Sequence, residues 1–195
     1  MIRHISIAAA ILATGLLSTP AVAGSAVANQ TRTAIVPASA PAQDGAVEPG
    51  FKRGKVVSFN TQAEAGSIIV STKENRLYFV LGGGKAVMYP VATAKRGFEW
   101  KGTHQVSAKS KWPSWSPPAT MRARHPELPS FMAGGPDNPL GARAIYLGSS
   151  IYRIHGTNAP DSIGKAASSG CIRMLNQDVT ELYAHVKIGA TVIVR

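Results

Sequence analysis

One stretch of this chain carries a clear helical hydrophobic period, and its other apolar residues fall in short runs broken by turn residues. After Asn176, the residues Val179, Leu182, Tyr183 and Val186 recur at i, i+3, i+4 and i+7, which places them on one face of a helix. Asn176 reads as its N-cap and Gly189 as its stop. The remaining runs read as strands. Residues 67–71 and 76–81 are rich in β-branched and aromatic side chains, with Lys73, Glu74 and Asn75 as the turn between them. Three glycines at 82–84 turn the chain into 85–91, and residues 144–147, 151–155 and 191–194 have the same character. A chain of 195 residues that is 45% hydrophobic holds enough apolar material for a sizeable core. The expected fold class is therefore mainly β with a minor helix. Residues 93–141 contain all three Trp and a series of Pro, which predicts mostly loop with a few short strands. A loop that long in a compact domain usually serves as a lid or a cleft wall.

The N-terminus has a different composition. Arg3 and His4 precede an apolar stretch over residues 5–17, followed by Ser18, Thr19, Pro20 and the triplet Ala21-Val22-Ala23. A basic start, a short apolar segment and a small-x-small site predict a signal peptide over residues 1–23. No later apolar run reaches the roughly 18–20 residues that cross a bilayer, so the mature chain is expected to have no transmembrane anchor. Residues 24–55 are rich in Ala, Pro and Ser, nearly lack bulky side chains, and read as a flexible tether. The folded domain is expected over residues 56–195, with packing beginning between Phe51 and Gly66. The net charge of +11 suits an acidic partner without choosing among nucleic acid, anionic membrane and anionic wall polymer. Export makes that choice. Such a chain meets cell-wall polymer rather than nucleic acid, in the periplasm or, alternatively, secreted or wall-associated.

The candidate chemistry lies between His155 and Cys171. A single Cys excludes an intramolecular disulfide and a Cys-based zinc cluster. A free thiol is also unusual in an oxidising compartment unless it is used. Cys171 sits within Ser168-Ser169-Gly170-Cys171-Ile172-Arg173-Met174, just ahead of the expected helix. Gly170 lets the backbone approach a substrate carbonyl closely, and consecutive N–H groups there suit an oxyanion. The thiolate is the nucleophile, so it needs a base or a positive field. His155 at a strand end offers the first and Arg173 the second. From these residues two readings stand: a nucleophile with its base, or a small buried hydrophobe beside a satisfied histidine. The setting favours the first, because Gly156, Thr157 and Asn158 follow His155 and Gly164 opens a small-residue run before the thiol.

Three segments together, Ile154-His155-Gly156-Thr157-Asn158, Ser162-Ile163-Gly164-Lys165-Ala166 and Ser168 to Met174, resemble the catalytic signature of the YkuD-type L,D-transpeptidases. The resemblance extends upstream through Trp112-Pro113-Ser114-Trp115, Met121, Gly134-Gly135-Pro136 and residues 138–144, and downstream through Asn176 to Tyr183. It implies a YkuD-like β-sandwich and a cysteine acyl-enzyme. By resemblance, Cys171 is the nucleophile, His155 its base, and the Gly156 carbonyl the group that orients the imidazole. The backbone N–H groups of Ser169, Gly170 and Cys171 cradle the oxyanion; Arg173, by its own chemistry, can hold a substrate carboxylate in a bidentate pair. Two positions depart from the common pattern: Ser169 stands where many members have His, and Arg173 where many have Asn.

The implied reaction is attack of Cys171 on the third residue of a peptidoglycan tetrapeptide stem, release of D-Ala, and transfer to an amine of a second stem as a 3→3 cross-link. Water as acceptor gives an L,D-carboxypeptidase, and an amine on an outer-membrane protein gives an anchoring enzyme. The resemblance implies no cofactor or metal, and susceptibility of Cys171 to carbapenems. Papain-like and NlpC-like hydrolases place Cys before His in the chain, the reverse of the order here. A non-catalytic wall-binding module, with an inert thiol, is the rival from another class. Elsewhere, His104, His125 and His185 read as surface or structural residues, Tyr146 and Tyr152 as core or sheet-face residues, and Trp112 and Trp115 as loop anchors more readily than cleft walls.

Overall fold

The computed structural model describes residues 50–195; the expected signal peptide and the expected tether up to residue 49 lie outside the described residues. Eleven strands, two α-helices and one 3-10 turn (Pro160–Ser162) make up the regular structure of the described part. They are β1 (Lys55–Ser58), β2 (Ile68–Ser71), β3 (Arg76–Gly82), β4 (Lys85–Pro90), β5 (Thr93–Ala94), β6 (Gly102–Lys111), α1 (Ala119–Arg124), β7 (Arg143–Leu147), β8 (Arg153–His155), β9 (Ala166–Ser168), β10 (Ile172–Arg173), α2 (Asn176–His185) and β11 (Thr191–Val194). Nine strands form one hydrogen-bonded series in the order β1-β4-β3-β2-β11-β6-β7-β8-β10, and β5 pairs with β9 separately. The mainly-β expectation holds, with the sheet continuous through one shared strand.

That strand is β6. Gly102 to Gln105 pair with β11, whereas Val106 to Lys111 pair with β7, and the register shifts between Val106 and Ala108. A bulge of this kind bends a strand and re-aims the sheet beyond it. The half on the β11 side holds β2, whose Ile68, Ile69 and Val70 are all buried, as an apolar run covered on both faces requires. The other half holds β7, β8 and β10. Val70, Leu77 and Val87 from the first half, Ile145, Ile154 and Ile172 from the second, and Val179 and Leu182 from α2 meet in one core.

Three expectations are corrected. The ten-residue strand β6 lies inside the stretch expected to be mostly loop; it escapes a periodicity reading because Val106 is its one buried residue. Asn176 is the first residue of α2 rather than its cap; Leu175 occupies the N-cap position with extended backbone and no side-chain capping bond. The packed body reaches into the segment expected as tether. Phe51 is buried, stacks on His185 at 3.9 Å, and is followed by backbone N–H groups of Lys52, Arg53 and Gly54 that donate to Glu181. Among the described residues, no helix is long and apolar enough to cross a membrane.

Candidate active site

Strands β8 and β10 run parallel, with Ile154 opposite Ile172 and His155 opposite Arg173. Side chains alternate along a strand, so the two isoleucines share one face, while Arg153, His155, Cys171 and Arg173 share the other. The first face is core, with Ile154 and Ile172 fully buried. The second is the floor of a cleft whose walls include Trp115, Pro118, Met121, Leu140 and Tyr152. One register thus brings together a thiol, an imidazole and two guanidinium groups. The long middle stretch supplies a wall, as its length suggested; Trp115 lines the cleft, whereas Trp112 is absent from its lining.

His155 is buried, and its Nδ1 lies 2.6 Å from the Gly156 carbonyl oxygen. A carbonyl only accepts, so Nδ1 carries the proton and Nε2 keeps its lone pair. Burial lowers the His155 pKa from 6.5 to about 3; the Gly156 carbonyl opposes this, while the charges of Arg173 and Arg153 add to it. The ring is therefore a neutral base at neutral pH. Burial pushes the Cys171 thiol up, against the pull of Arg153, a hydrogen bond from the Arg153 backbone, and Arg173. The positive field expected from Arg173 is present, yet desolvation outweighs it. The resting pair is thiol and imidazole, each held in its uncharged form by burial.

The loop before the thiol is held at both ends. Ser168 Oγ donates to the Cys171 carbonyl at 2.5 Å and accepts from the Gly170 N–H at 3.1 Å. The expected oxyanion cradle is corrected at this point: the Gly170 N–H is already used. Those of Ser169 and Cys171 meet no protein acceptor among the described residues. Gly170 has φ +118, and a Cβ there would stand 2.8 Å from Tyr152 Cε1. Behind it, Trp100 Nε1 donates to the Gly170 carbonyl at 2.6 Å, and its ring stacks on Tyr152 with centroids 4.1 Å apart.

A family model described as the L,D-transpeptidase catalytic domain, YkuD, matches residues 65–194. The chain belongs to that family. It is 40% identical over 134 residues to the probable L,D-transpeptidase ErfK/SrfK of Escherichia coli, covering 64% of this chain and 42% of the relative. The Escherichia coli protein YbiS, named in the same terms, is 36% identical over 134 residues, with 64% and 43% covered. The chain thus spans less than half the length of these curated relatives. An L,D-transpeptidase of Mycobacterium smegmatis shares the fold at TM-score 0.55 and 18% identity, over 74% of this chain and 69% of its own. A Brucella melitensis protein solved under the name of a probable carnitine operon oxidoreductase is 40% identical, over 74% of this chain and 93% of its own, at TM-score 0.50.

Within this member of the family, the structure brings Cys171, His155, Gly156, Ser169 and Arg173 together and assigns the Gly170 N–H elsewhere. Three neighbours were not legible as site residues. Arg153 lies one register step from Arg173's row, beside Cys171. Trp100 anchors the thiol loop from 70 residues upstream. Asn176 Oδ1 accepts from the N–H of Ala142 at 2.9 Å and of Thr157 at 3.2 Å, and its amide donates to the Thr157 carbonyl at 3.0 Å. These bonds clamp the backbone on both sides of Gly156, the residue that fixes the imidazole. The clamp is tight, since a Cβ on Gly156 or Gly141 would stand 2.2 Å from Asn176 Oδ1. Among the described residues, no three His, Cys, Asp or Glu side chains are grouped to hold a metal ion.

Proposed function

We propose that this protein is an exported peptidoglycan L,D-transpeptidase acting through a Cys171 acyl-enzyme. The observation that carries the reading is the shared face of β8 and β10, where a tautomer-fixed neutral His155 and Cys171 line one cleft. In the first half-reaction His155 Nε2 takes the thiol proton, and the sulfur attacks the carbonyl of the third stem residue. The N–H groups of Ser169 and Cys171 stabilise the oxyanion. The carbonyl–nitrogen bond to D-Ala breaks, and the imidazolium gives its proton to the leaving amine. An acceptor amine then attacks the thioester, His155 removes its proton, and the thiol is restored. Donor and acceptor are peptidoglycan stems, and the workplace is the periplasm. Water or an outer-membrane protein amine replaces the second stem in the alternative outcomes.

The test incubates the full chain with a disaccharide-tetrapeptide and follows products by mass spectrometry, with Cys171→Ala beside it. Loss of D-Ala and a 3→3 dimer, both absent from Cys171→Ala, is the expected result. D-Ala loss without dimer turns the reading to carboxypeptidase or protein anchoring. A folded protein that releases no D-Ala overturns it. A carbapenem is expected to add its mass to the wild-type chain and not to Cys171→Ala.

A further inference from the structure

The geometry points to a carboxylate-reading clamp made by Arg153 and Arg173 beside Cys171, which holds the terminal carboxylate of the donor's leaving residue. The clamp rests on the acyl-transfer reading above for the identity of its ligand. Its existence rests on the cleft itself. The parallel register sets Arg173 beside His155 and, one step back on the same face, Arg153 beside Cys171. Both arginines line the cleft, and no Asp or Glu does. Among the described residues, the ion pairs are Arg53 with Asp178 and His125 with Glu127, so neither cleft guanidinium has a carboxylate partner.

Arg153 is the more telling of the two. Its Nε is buried and has no hydrogen-bond partner. Its other protein contacts are modest: one Nη donates to the Ile151 carbonyl at 3.3 Å, and the guanidinium stands 5.5 Å from the centre of the Tyr146 ring. A desolvated N–H donor left without an acceptor is unfavourable, and it persists where a ligand completes it. The fork of a guanidinium is matched by a group with two acceptor oxygens and a negative charge, which describes a carboxylate. The developing oxyanion has its own donors in the N–H groups of Ser169 and Cys171, which leaves the two arginines for a permanent charge. Adjacent strands lie about 4.8 Å apart, so a carboxylate one residue beyond the attacked carbonyl falls within reach of the strand beside the thiol.

The test separates anion reading from turnover. The full chain is alkylated with iodoacetate and, separately, with iodoacetamide, and the rates are read by intact mass. Cys171 is the single cysteine, so the label reports one site. In both reactions sulfur displaces iodide to form a thioether and the thiol proton passes to buffer; the reagents differ in the carboxylate. The thiolate fraction cancels in the ratio of the two rates, and dividing by the ratio for N-acetylcysteine removes the intrinsic difference between the reagents. The expected normalised ratio is about tenfold above one in low salt, falling towards one in high salt and in Arg153→Gln and Arg173→Gln. It stays at the wild-type value in Lys73→Gln, which removes an exposed charge in the turn between β2 and β3. A wild-type ratio of one, or a ratio that neither salt nor Arg153→Gln lowers, overturns the clamp. Should Arg153→Gln fail to fold, the salt dependence of the wild type decides.

A second arm supplies the tetrapeptide donor as its free acid and as its C-terminal amide. Arg153→Gln is expected to raise KM about tenfold for the acid and to leave the amide unchanged; an equal effect on both overturns the assigned ligand. Anion-selective labelling without turnover of either donor keeps the clamp and removes the acyl-transfer reading. Turnover without selective labelling does the reverse.

Discussion

Two polar clusters of this molecule are built on opposite terms. Around Glu181 every strong donor finds an acceptor: the carboxylate takes the N–H groups of Lys52, Arg53 and Gly54 and the hydroxyl of Tyr89, while Asp178 takes Arg53 Nε at 3.1 Å. In the cleft, Arg153 Nε has no partner, the N–H groups of Ser169 and Cys171 have none among the described residues, and His155 Nε2 keeps its lone pair. Both clusters border the same core, the first more exposed than the second. What separates them is who completes the hydrogen bonds. The first cluster is finished by the fold and holds the N-terminal segment on α2. The second is left unfinished by the fold. Changes in the first should therefore cost stability and spare the thiol, and changes in the second should do the opposite.

The largest test of that division is His155→Gln. Turnover is expected to fall about 10²–10⁴-fold, the range for loss of a general base, in a donor-release assay. The same variant has a stability signature. A folded pKa of about 3 against 6.5 unfolded means that the unfolded state binds the extra proton, so stability present above pH 6.5 is lost as pH falls towards 3. Denaturant unfolding across that window should show a smaller loss in His155→Gln than in wild type, the remainder coming from carboxyls such as Glu181 below pH 4.5. A wild-type stability flat over this window would show that the imidazole is not buried neutral in solution.

Asn176→Ala is the crossing case, because its side chain is finished by the fold yet clamps Gly156. The change strands the N–H groups of Ala142 and Thr157, so stability should drop by about 2 kcal/mol. The imidazole loses its fixed carbonyl as well, so turnover per folded molecule should fall about tenfold. A stability loss with full turnover would place Asn176 in the structural cluster alone.

Asn176 also shows where the sequence stops being readable. Its position before an amphipathic run suggested a cap, a local role, whereas its partners lie 34 and 19 residues away. The strands β2, β3, β4, β7 and β11 were legible because short apolar runs between turn residues bury two or more side chains each, and β6 was not because ten residues bury one side chain. Cys171 and His155 were legible from their glycine-rich neighbours. Arg153 was not: on a strand an outward arginine is ordinary, and only its register with Cys171 makes it part of the site. Trp100 likewise gave no local sign of the loop it holds. Local pattern reveals which face a residue takes, while pairing decides what it meets there.

Glu181→Gln tests the finished cluster. Burial pushes the Glu181 carboxyl up, but the donors from Lys52, Gly54, Tyr89 and Arg53 outweigh it and hold its pKa below 4.5. The stability it supplies is thus present above pH 4.5 and lost as pH falls through the lower folded value. Water replaces the acceptor for the exposed N–H groups of Lys52 and Arg53, so the cost comes mainly from Tyr89 and Gly54, about 1–2 kcal/mol near neutral pH. Iodoacetamide labelling of Cys171 should keep its wild-type rate. A slowed label would mean that the two clusters are coupled through α2.

Trp100→Phe has the smallest expected effect and the narrowest meaning. Phenylalanine retains a ring to stack on Tyr152, so the packing behind Gly170 survives in large part, while the 2.6 Å donation to the Gly170 carbonyl is lost. That carbonyl belongs to the residue before the thiol, and Ser168 still ties the loop through the Gly170 N–H and the Cys171 carbonyl. One neutral hydrogen bond of this kind is worth about 1 kcal/mol. If the bond serves the fold, the whole of that amount appears in denaturant unfolding and Cys171 labels as in wild type. If it serves to hold the thiol loop, unfolding changes little and the labelling rate shifts a few-fold, because the loop then samples positions away from His155. The second result is expected, since Trp100 reaches the loop from outside the strands that bear the site.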